Sequence, residues 1–265
     1  MTRACPVLDA FKLAYGLQDH EPLIIAGPCA VEGETMFDET AHMLAENGVR
    51  LVRAGLFKPR TSPFTFQGLG EDALPFAQAI ARRYGVLLVS EVMETEQIPL
   101  LAPAVSVLQV GTRNMDNYAL LKRLGRQPLP VLLKRGFMAD SKEFFLAAEY
   151  LRREGNGRVI LCERGIRTFE SATRNTLDLN IVPIARLTTD LPIIVDPSHG
   201  TGRSDIVVPM ARAAIAAGAD GLLVEVHPNP AKALSDGLQS LDFERFRMML
   251  DEVRELYALH ATRSQ

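Results

Sequence analysis

Six cationic side chains stand at or just after the ends of short apolar runs in this chain of 265 residues. They are Arg53, Lys58, Arg60, Arg113, Lys134 and Arg164. Arginine pairs bidentately with phosphate and carboxylate oxygens, and lysine adds a compact positive charge. A single arginine would be interpreted as a surface ion-pair partner. Six that converge indicate a small substrate with several anionic groups.

A second set combines a thiol, an imidazole and two carboxylates: Cys29, His199, Glu225 and Asp236. Together these groups suit a divalent transition metal. Their spacing alone is a weak signal, because no pair has the CxxC or HExxH pattern. Taken singly they are a buried thiol, a loop cap, an ion-pair partner and a turn former. We interpret the set as a metal site, with His227 as a candidate outer neighbour.

The elements that must position these side chains are eight short apolar runs rich in Val, Ile and Leu. They cover residues 23–26, 51–54, 86–89, 105–110, 131–133, 159–161, 193–195 and 221–224. Runs that are apolar on both faces are typical of parallel strands covered by helices. Segments with helical periodicity lie between them, at 36–47, 73–84, 118–124, 141–153 and 206–217. The runs recur about every 28 residues, so we predict a single-domain α/β fold, the (β/α)8 TIM barrel.

Such a barrel builds its active site at the C-terminal ends of its strands, where both sets of side chains would meet. The segment 200–204 (Gly-Thr-Gly-Arg-Ser) is either a phosphate cradle at a helix N-terminus or a capping turn. Residues 1–265 show no linker and are expected to form one domain. Residues 1–20 have no clear period and would be an oligomer contact or a plug beneath the barrel. The spacing of the apolar residues in 243–257 predicts an amphipathic helix that closes the barrel.

The composition excludes several classes of protein. A net charge of -3 and a pI near 6.0 argue against non-specific nucleic-acid binding. No apolar stretch reaches the roughly 18 to 20 residues of a membrane span, and the first ten residues have no signal-peptide pattern. Three cysteines do not make a disulfide framework. We therefore expect a cytoplasmic protein with no nucleic-acid or membrane partner.

Eight short motifs between residues 22 and 237 carry a family resemblance. They are Gly27-Pro28-Cys29, Arg53-Ala54-Gly55, Lys58-Pro59-Arg60-Thr61-Ser62, Gly111-Thr112-Arg113-Asn114, Leu133-Lys134-Arg135-Gly136, Cys162-Glu163-Arg164-Gly165-Ile166-Arg167, Asp196-Pro197-Ser198-His199 and Val224-Glu225-Val226-His227-Pro228. With them the chain resembles the 3-deoxy-D-arabino-heptulosonate 7-phosphate (DAHP) synthases, in particular the compact Iβ type. That type is related to the 3-deoxy-D-manno-octulosonate 8-phosphate (KDO8P) synthases.

The resemblance implies condensation of phosphoenolpyruvate with erythrose 4-phosphate and water, which releases phosphate in the first step of the shikimate pathway to aromatic amino acids. One divalent ion (Mn, Fe, Co, Zn, Cu or similar) would be held by Cys29, His199, Glu225 and Asp236. Phosphoenolpyruvate would be bound by Arg113, Lys134, Arg164, Arg53 and Lys58. Erythrose 4-phosphate would meet Pro59, Arg60 and Thr61. Lys58 is the implied proton donor near the aldehyde, and Cys29 and His199 count as catalytic through the metal.

Two alternatives stay open. A KDO8P synthase would use arabinose 5-phosphate. Such enzymes typically carry Lys-Ala-Asn-Arg where this chain has Lys58-Pro59-Arg60-Thr61. Pro59 and Thr61 therefore favour the shorter aldose. The other alternative is a non-catalytic phosphate-binding barrel that regulates a partner protein. Every expected metal ligand and cationic residue is present, so the sequence gives no sign of lost catalysis. The family implies a dimer or tetramer and a separate chorismate mutase as a candidate partner. With no regulatory domain expected before the barrel, we expect weak or absent feedback by phenylalanine or tyrosine.

Overall fold

Eight parallel strands close into a barrel in the computed structural model, which describes residues 5–60 and 62–262, the last three as backbone only. The strands are β1 (Leu23–Gly27), β2 (Leu51–Arg53), β3 (Leu87–Glu91), β4 (Val107–Val110), β5 (Val131–Lys134), β6 (Val159–Glu163), β7 (Ile193–Val195) and β8 (Gly221–Glu225). Each pairs in parallel with the next, and β1 pairs with β8. The predicted (β/α)8 barrel is confirmed.

Helices alternate with the strands around the barrel. They are α1 (Pro6–Tyr15), α2 (Glu34–Glu46), α3 (Leu74–Tyr84), α4 (Ile98–Leu101), α5 (Tyr118–Leu124), α6 (Ser141–Arg153), α7 (Ile181–Thr188), α8 (Pro197–Thr201), α9 (Ser204–Ala216) and α10 (Phe243–Thr262). The predicted helix at the end of the chain is α10, which buries Phe246, Leu250 and Val253 and packs against α9. None of the described helices is long and apolar enough to cross a membrane.

The strands bury side chains on both faces, as the continuous apolar runs predict. On β1, Ile25 points into the barrel, whereas Ile24 and Ala26 face the layer of helices. This alternation is the two-residue period of a strand. The structure therefore has two apolar layers, one inside the barrel and one between the barrel and its helices.

Helix α1 closes the lower end of the barrel. Its Leu8 and Phe11 join the apolar cluster inside the barrel. Pro6 starts the helix, and Gly16 ends it in the left-handed conformation with φ 61°. The Lys12 ammonium donates to the backbone carbonyls of Asp19 and Glu21, at 2.9 and 2.7 Å. Of the two interpretations of residues 1–20, the plug is therefore confirmed for the part of the segment that the structure describes.

The register between β1 and β8 positions the upper rim. Leu23 pairs with Gly221 at the lower end, and Gly27 pairs with Glu225 at the upper end. Because Cys29 follows β1 by two residues, it lies next to the carboxylate that ends β8. Strand closure thus joins residues that are about 200 positions apart in sequence.

Candidate active site

Four side chains with metal-ligand atoms meet at the C-terminal rim of the barrel. Cys29, His199, Glu225 and Asp236 each offer one ligand atom, and these four atoms all lie within 4.8 Å of one another. The Cys29 Sγ atom is 3.1 Å from Asp236 Oδ2, and His199 Nε2 is 3.3 Å from Glu225 Oε1. Cys29, His199 and Glu225 are buried. The predicted second set is therefore a cluster in space.

Asp196 at the start of α8 orients the imidazole of His199. One carboxylate oxygen accepts the backbone N–H of His199 at 2.9 Å, and the other lies 2.8 Å from Nδ1 of the same residue. If Nδ1 carries the proton, the lone pair of Nε2 faces the cluster. Burial lowers the pKa of His199 to about 4, against the opposing effect of Asp196. The ring is therefore neutral near pH 7, as a metal ligand must be.

The surroundings of Glu225 also fit a cation. Its Oε2 accepts a hydrogen bond from Gln239, whereas its buried Oε1 has no hydrogen bond from any described residue. Oε1 lies 3.0 Å from Nη2 of Arg53. The two side chains form an ion pair, but the geometry is not that of a hydrogen bond. Buried carboxylate oxygens are normally satisfied. An unsatisfied oxygen beside a thiol and an imidazole is what a bound metal ion would explain.

Two further features of the cluster are consistent with a functional role. Asp236 has φ 53°, and among the described residues no other non-glycine residue has a positive φ. Backbone strain of this kind concentrates at functional sites. Burial and the charge of Glu225 raise the pKa of the Cys29 thiol to about 12. The thiol is thus protonated until a cation replaces its proton.

A cavity of about 300 Å³ opens above the cluster, and His199 and Asp236 form part of its wall. Five of the six predicted cations line it: Lys58, Arg60, Arg113, Lys134 and Arg164. Pro59 lines it as well. Lys134 is buried, and its ammonium lies 2.7 Å from Asp196 Oδ2. Five of the cations and two of the four candidate metal ligands, His199 and Asp236, therefore line one cavity.

Arg53 is the one cation of the six that does not line this cavity. Its side chain is buried, with Nη2 3.0 Å from Glu225 Oε1 and 3.3 Å from the backbone carbonyl of Cys29. Arg53 is the last residue of β2, so the side chain turns into the barrel instead of extending over the rim. Thr61, the other expected contact for the sugar phosphate, lies outside the described residues.

Three charged or aromatic residues of the cavity wall are not among the predicted site residues. Arg174, between β6 and α7, donates to Asp236 Oδ1 at 3.2 Å and to Gln239 at 2.9 Å. Phe137 follows β5 and faces several guanidinium groups. Glu91 ends β3. The position of Glu91 at a strand end is a signal visible in the sequence, whereas Arg174 and Phe137 lie in irregular segments with no such signal.

Other polar residues near the rim have structural roles. Arg135 lies 2.9 Å from both Glu163 and Asp178 and ties the loop after β6 to β5. Segment 200–204 is a capping turn: α8 ends there, and Gly202 adopts φ 70°. The phosphate-cradle alternative is not supported, since these residues do not line the cavity.

His227 is an indirect neighbour of the cluster. Its Nε2 is 3.4 Å from Glu32 Oε2, and the other oxygen of Glu32 accepts the backbone N–H of Leu234 at 2.8 Å. The pair therefore joins the loop after β1 to the loop that carries Asp236.

Comparisons with known proteins agree with this geometry. Residues 10–259 match the family model described as the DAHP synthetase I family. The phospho-2-dehydro-3-deoxyheptonate aldolase of Thermotoga maritima is 55% identical over 233 residues, which are 88% of this chain and 69% of that protein. The 2-dehydro-3-deoxyphosphooctonate aldolase of Alkalilimnicola ehrlichii is 32% identical over 270 residues, or 94% of this chain and 95% of that protein.

Solved structures show the same fold. The crystal structure of the Thermotoga maritima phospho-2-dehydro-3-deoxyheptonate aldolase (DAHP synthase) superposes with a TM-score of 0.87 at 54% identity, covering 90% of this chain and 70% of that one. A truncated form of the Thermotoga maritima enzyme gives a TM-score of 0.83 at 50% identity, with 90% and 87% covered. The chain belongs to the DAHP synthetase I family.

Proposed function

We propose that this protein is a 3-deoxy-7-phosphoheptulonate synthase, which condenses phosphoenolpyruvate with D-erythrose 4-phosphate and water to DAHP and phosphate. The observation that carries the proposal is the cation-lined cavity that shares His199 and Asp236 with the ligand cluster. Both substrates are phosphate esters, and such a wall suits two of them. The 55% identity to a heptonate aldolase, against 32% to an octonate aldolase, supports the four-carbon sugar.

We assign the metal site to Cys29, His199, Glu225 and Asp236. The mixed thiolate, imidazole and carboxylate set is compatible with Mn, Fe, Co, Zn or Cu. A divalent ion held there would act as a Lewis acid toward the aldehyde oxygen of the sugar. Arg53 supports this cluster from below through Glu225 and the carbonyl of Cys29.

We assign phosphoenolpyruvate to Arg113, Lys134 and Arg164, with Lys58 beside them. Arg60, Pro59 and Thr61 are assigned to erythrose 4-phosphate. Arg60 donates to Ser235 Oγ at 2.8 Å, so it is anchored to the loop after β8. Holding both phosphate esters orients the two reacting carbons. Orientation of this kind can supply roughly 7 to 11 kcal/mol of the barrier.

Lys58 is the proposed proton donor. Burial lowers the pKa of its ammonium, but Cys29 in its thiolate form and the carboxylates of Glu225 and Asp236 outweigh burial and raise it. Nζ lies 3.5 Å from Asp236 Oδ2, at the edge of the ligand cluster. A charged ammonium at this place can give a proton to the oxygen that becomes an alkoxide.

The proposed reaction begins when C3 of phosphoenolpyruvate attacks the aldehyde carbon and the aldehyde oxygen takes a proton from Lys58. Positive character develops at C2, and water adds there and releases one proton, which balances the proton given by Lys58. The tetrahedral product loses phosphate by cleavage of the carbon–oxygen bond. The cationic wall stabilises the departing phosphate.

The experiment follows the loss of phosphoenolpyruvate by ultraviolet absorbance. Chelator-treated protein is tested with and without added divalent metal, and with erythrose 4-phosphate or arabinose 5-phosphate. Metal-dependent consumption with erythrose 4-phosphate supports the proposal. Preference for arabinose 5-phosphate would indicate a KDO8P synthase, and no turnover with any metal would favour the regulatory barrel. Lys58→Met should abolish turnover, whereas Lys142→Met, on the exposed face of α6, should not.

The family resemblance also supports a cytoplasmic homo-oligomer, either a dimer or a tetramer, with a separate chorismate mutase as a candidate partner. Light scattering during size-exclusion chromatography measures the oligomeric state directly. Addition of a chorismate mutase to the same experiment tests the complex. A monomer at micromolar concentration would contradict the first proposal.

A further inference from the structure

Phe137 brings three guanidinium groups over a single uncharged ring. The guanidinium carbons of Arg167, Arg164 and Arg113 lie 4.6, 4.8 and 5.6 Å from the ring centroid. Phe137, Arg113 and Arg164 all line the cavity. Three like charges gathered around one ring repel one another, and an attractive group at the centre would offset part of that repulsion.

The ring supplies that partner through its electrons. The face of an aromatic ring carries negative electrostatic potential and attracts cations within about 6 Å of the centroid. An aliphatic side chain of similar size would fill the same space without this attraction. The contact with a ring face uses none of the N–H donors of a guanidinium group.

A backbone hydrogen bond of Phe137 fixes the position of its ring. Phe137 lies in the loop after β5, and its carbonyl accepts the backbone N–H of Arg167 at 2.7 Å. The loop after β6, which carries Arg167, is thereby fixed to the loop after β5. Gly136, just before the ring, packs on Met115. The ring position is therefore set by two strand ends.

Arg164 is the most buried of the three arginines. It is only 2% exposed, its Nη1 donates to the carbonyl of Gly165 at 3.1 Å, and its buried Nε has no hydrogen-bond partner among the described residues. Arg164 also lines the cavity, so an anion bound there would lie beside this residue.

We propose that Phe137 is a positioning residue whose ring holds Arg113 and Arg164 ready to bind the phosphate group of phosphoenolpyruvate. The inference rests on the proposed function for the identity of the ligand. Phe137 acts through the arginines, so its loss weakens binding of the phosphate group more than it slows the bond-forming step. The shared chemistry is that of any phosphate anion, and inorganic phosphate is therefore a probe that needs no turnover.

The experiment compares Phe137→Leu with Phe137→Tyr, which keeps the ring and can place its hydroxyl because Phe137 is half-buried. Phe169→Leu is the matched control, since this ring is fully exposed and does not line the cavity. Rates are measured against phosphoenolpyruvate at saturating erythrose 4-phosphate. Inorganic phosphate is titrated by calorimetry into the holoenzyme of each variant, and thermal melting confirms that each is folded.

We expect Phe137→Leu to raise KM for phosphoenolpyruvate and the Kd for phosphate by about 5- to 30-fold, with kcat changed less than about 3-fold. Phe137→Tyr and Phe169→Leu should stay within about 2-fold of the parent protein. Unchanged KM and Kd in Phe137→Leu would overturn the inference. So would a Phe137→Tyr variant that is as impaired as Phe137→Leu, because packing would then be the cause.

The inference and the proposed function fail in different ways. If the parent protein binds phosphate but does not turn over the two substrates, the proposed function fails and the phosphate titration alone decides the role of Phe137. Weaker phosphate binding in Phe137→Leu, restored in Phe137→Tyr, still supports the positioning role. A parent protein that binds neither phosphate nor phosphoenolpyruvate overturns both.

Discussion

Asp196 holds both the backbone and the ring of His199: its Oδ1 accepts the backbone N–H at 2.9 Å, and its Oδ2 lies 2.8 Å from Nδ1. The same Oδ2 is 2.7 Å from the Lys134 ammonium. Burial would raise the pKa of the Asp196 carboxyl, but His199 and Lys134 hold it well below its usual range. One buried carboxylate therefore connects the candidate metal site with the candidate phosphoenolpyruvate site.

Asp196→Asn tests this connection. The amide cannot hold the imidazole as the carboxylate does, so we expect metal affinity to fall by about 10- to 100-fold. Metal content after dialysis against buffered Mn²⁺ measures the effect. Asp190→Asn is the control, because Asp190 is a half-exposed acid paired with Arg152. Unchanged affinity in Asp196→Asn would show that the carboxylate does not support the ligand.

Cys29→Ser should lower metal content and activity together while the fold is kept. Serine has nearly the same shape, but its hydroxyl does not ionise to give a ligand comparable to thiolate. Metal analysis, turnover and thermal melting are measured on the same preparation. Cys5→Ser serves as the control, since the Cys5 Sγ contacts only a carbonyl, that of Asp190, among its described hydrogen-bond partners. Full activity in Cys29→Ser would remove this residue from the site.

Metal affinity should rise with pH. The Cys29 thiol has a pKa of about 12 without a cation, so metal binding must displace its proton. His199, with a pKa of about 4, is already neutral above about pH 5 and releases none. We expect the association constant to increase about tenfold per pH unit between about pH 6 and 8. Titration with Co²⁺, followed by its thiolate charge-transfer absorption, gives the slope.

Cys29→Ser has no thiolate absorption, so Co²⁺ binding to this variant is followed by calorimetry. Its affinity should lose the slope, because the proton-releasing thiol is gone. A pH-independent affinity in the parent protein would mean that the bound form keeps the thiol protonated or that Cys29 is not a ligand. Comparison of this variant with the parent thus separates the contribution of the thiol from that of the other ligands.

The barrel could be predicted because buried parallel strands are apolar on both faces, and this pattern is local. The predicted strand ends agree with the structure to within two residues. Several strands extend further than predicted, because polar side chains such as Glu91 and Glu163 belong to their last positions. Helix α1 was harder to predict, since it is short and only Leu8, Phe11 and Lys12 are buried.

The ligand cluster was predictable as a set of residue types at strand ends. Arg174 and Phe137 were not, because each reaches the cavity from an irregular segment whose path depends on tertiary contacts. The position of Arg53 also depends on a contact that no local pattern encodes, its ion pair with Glu225. Sequence therefore indicated which groups meet at the rim, whereas the pairing among them required the structure.

Barrel closure depends on the absence of a side chain at Gly221. A Cβ atom there would overlap the backbone carbonyl of Leu23, its partner on β1, and backbone cannot move aside as a flexible side chain can. We expect Gly221→Ala to lower the free energy of unfolding by at least about 2 kcal/mol, measured by urea denaturation.

Gly157→Ala is the matched control for Gly221→Ala. A Cβ on Gly157 would meet nothing within 4 Å, and this glycine does not have a positive φ. Its free energy of unfolding should be unchanged or higher by up to about 1 kcal/mol, because alanine restricts the unfolded chain. If Gly221→Ala were as stable as this control, the backbone of β1 would make room for a Cβ atom without cost, and barrel closure would not depend on the glycine.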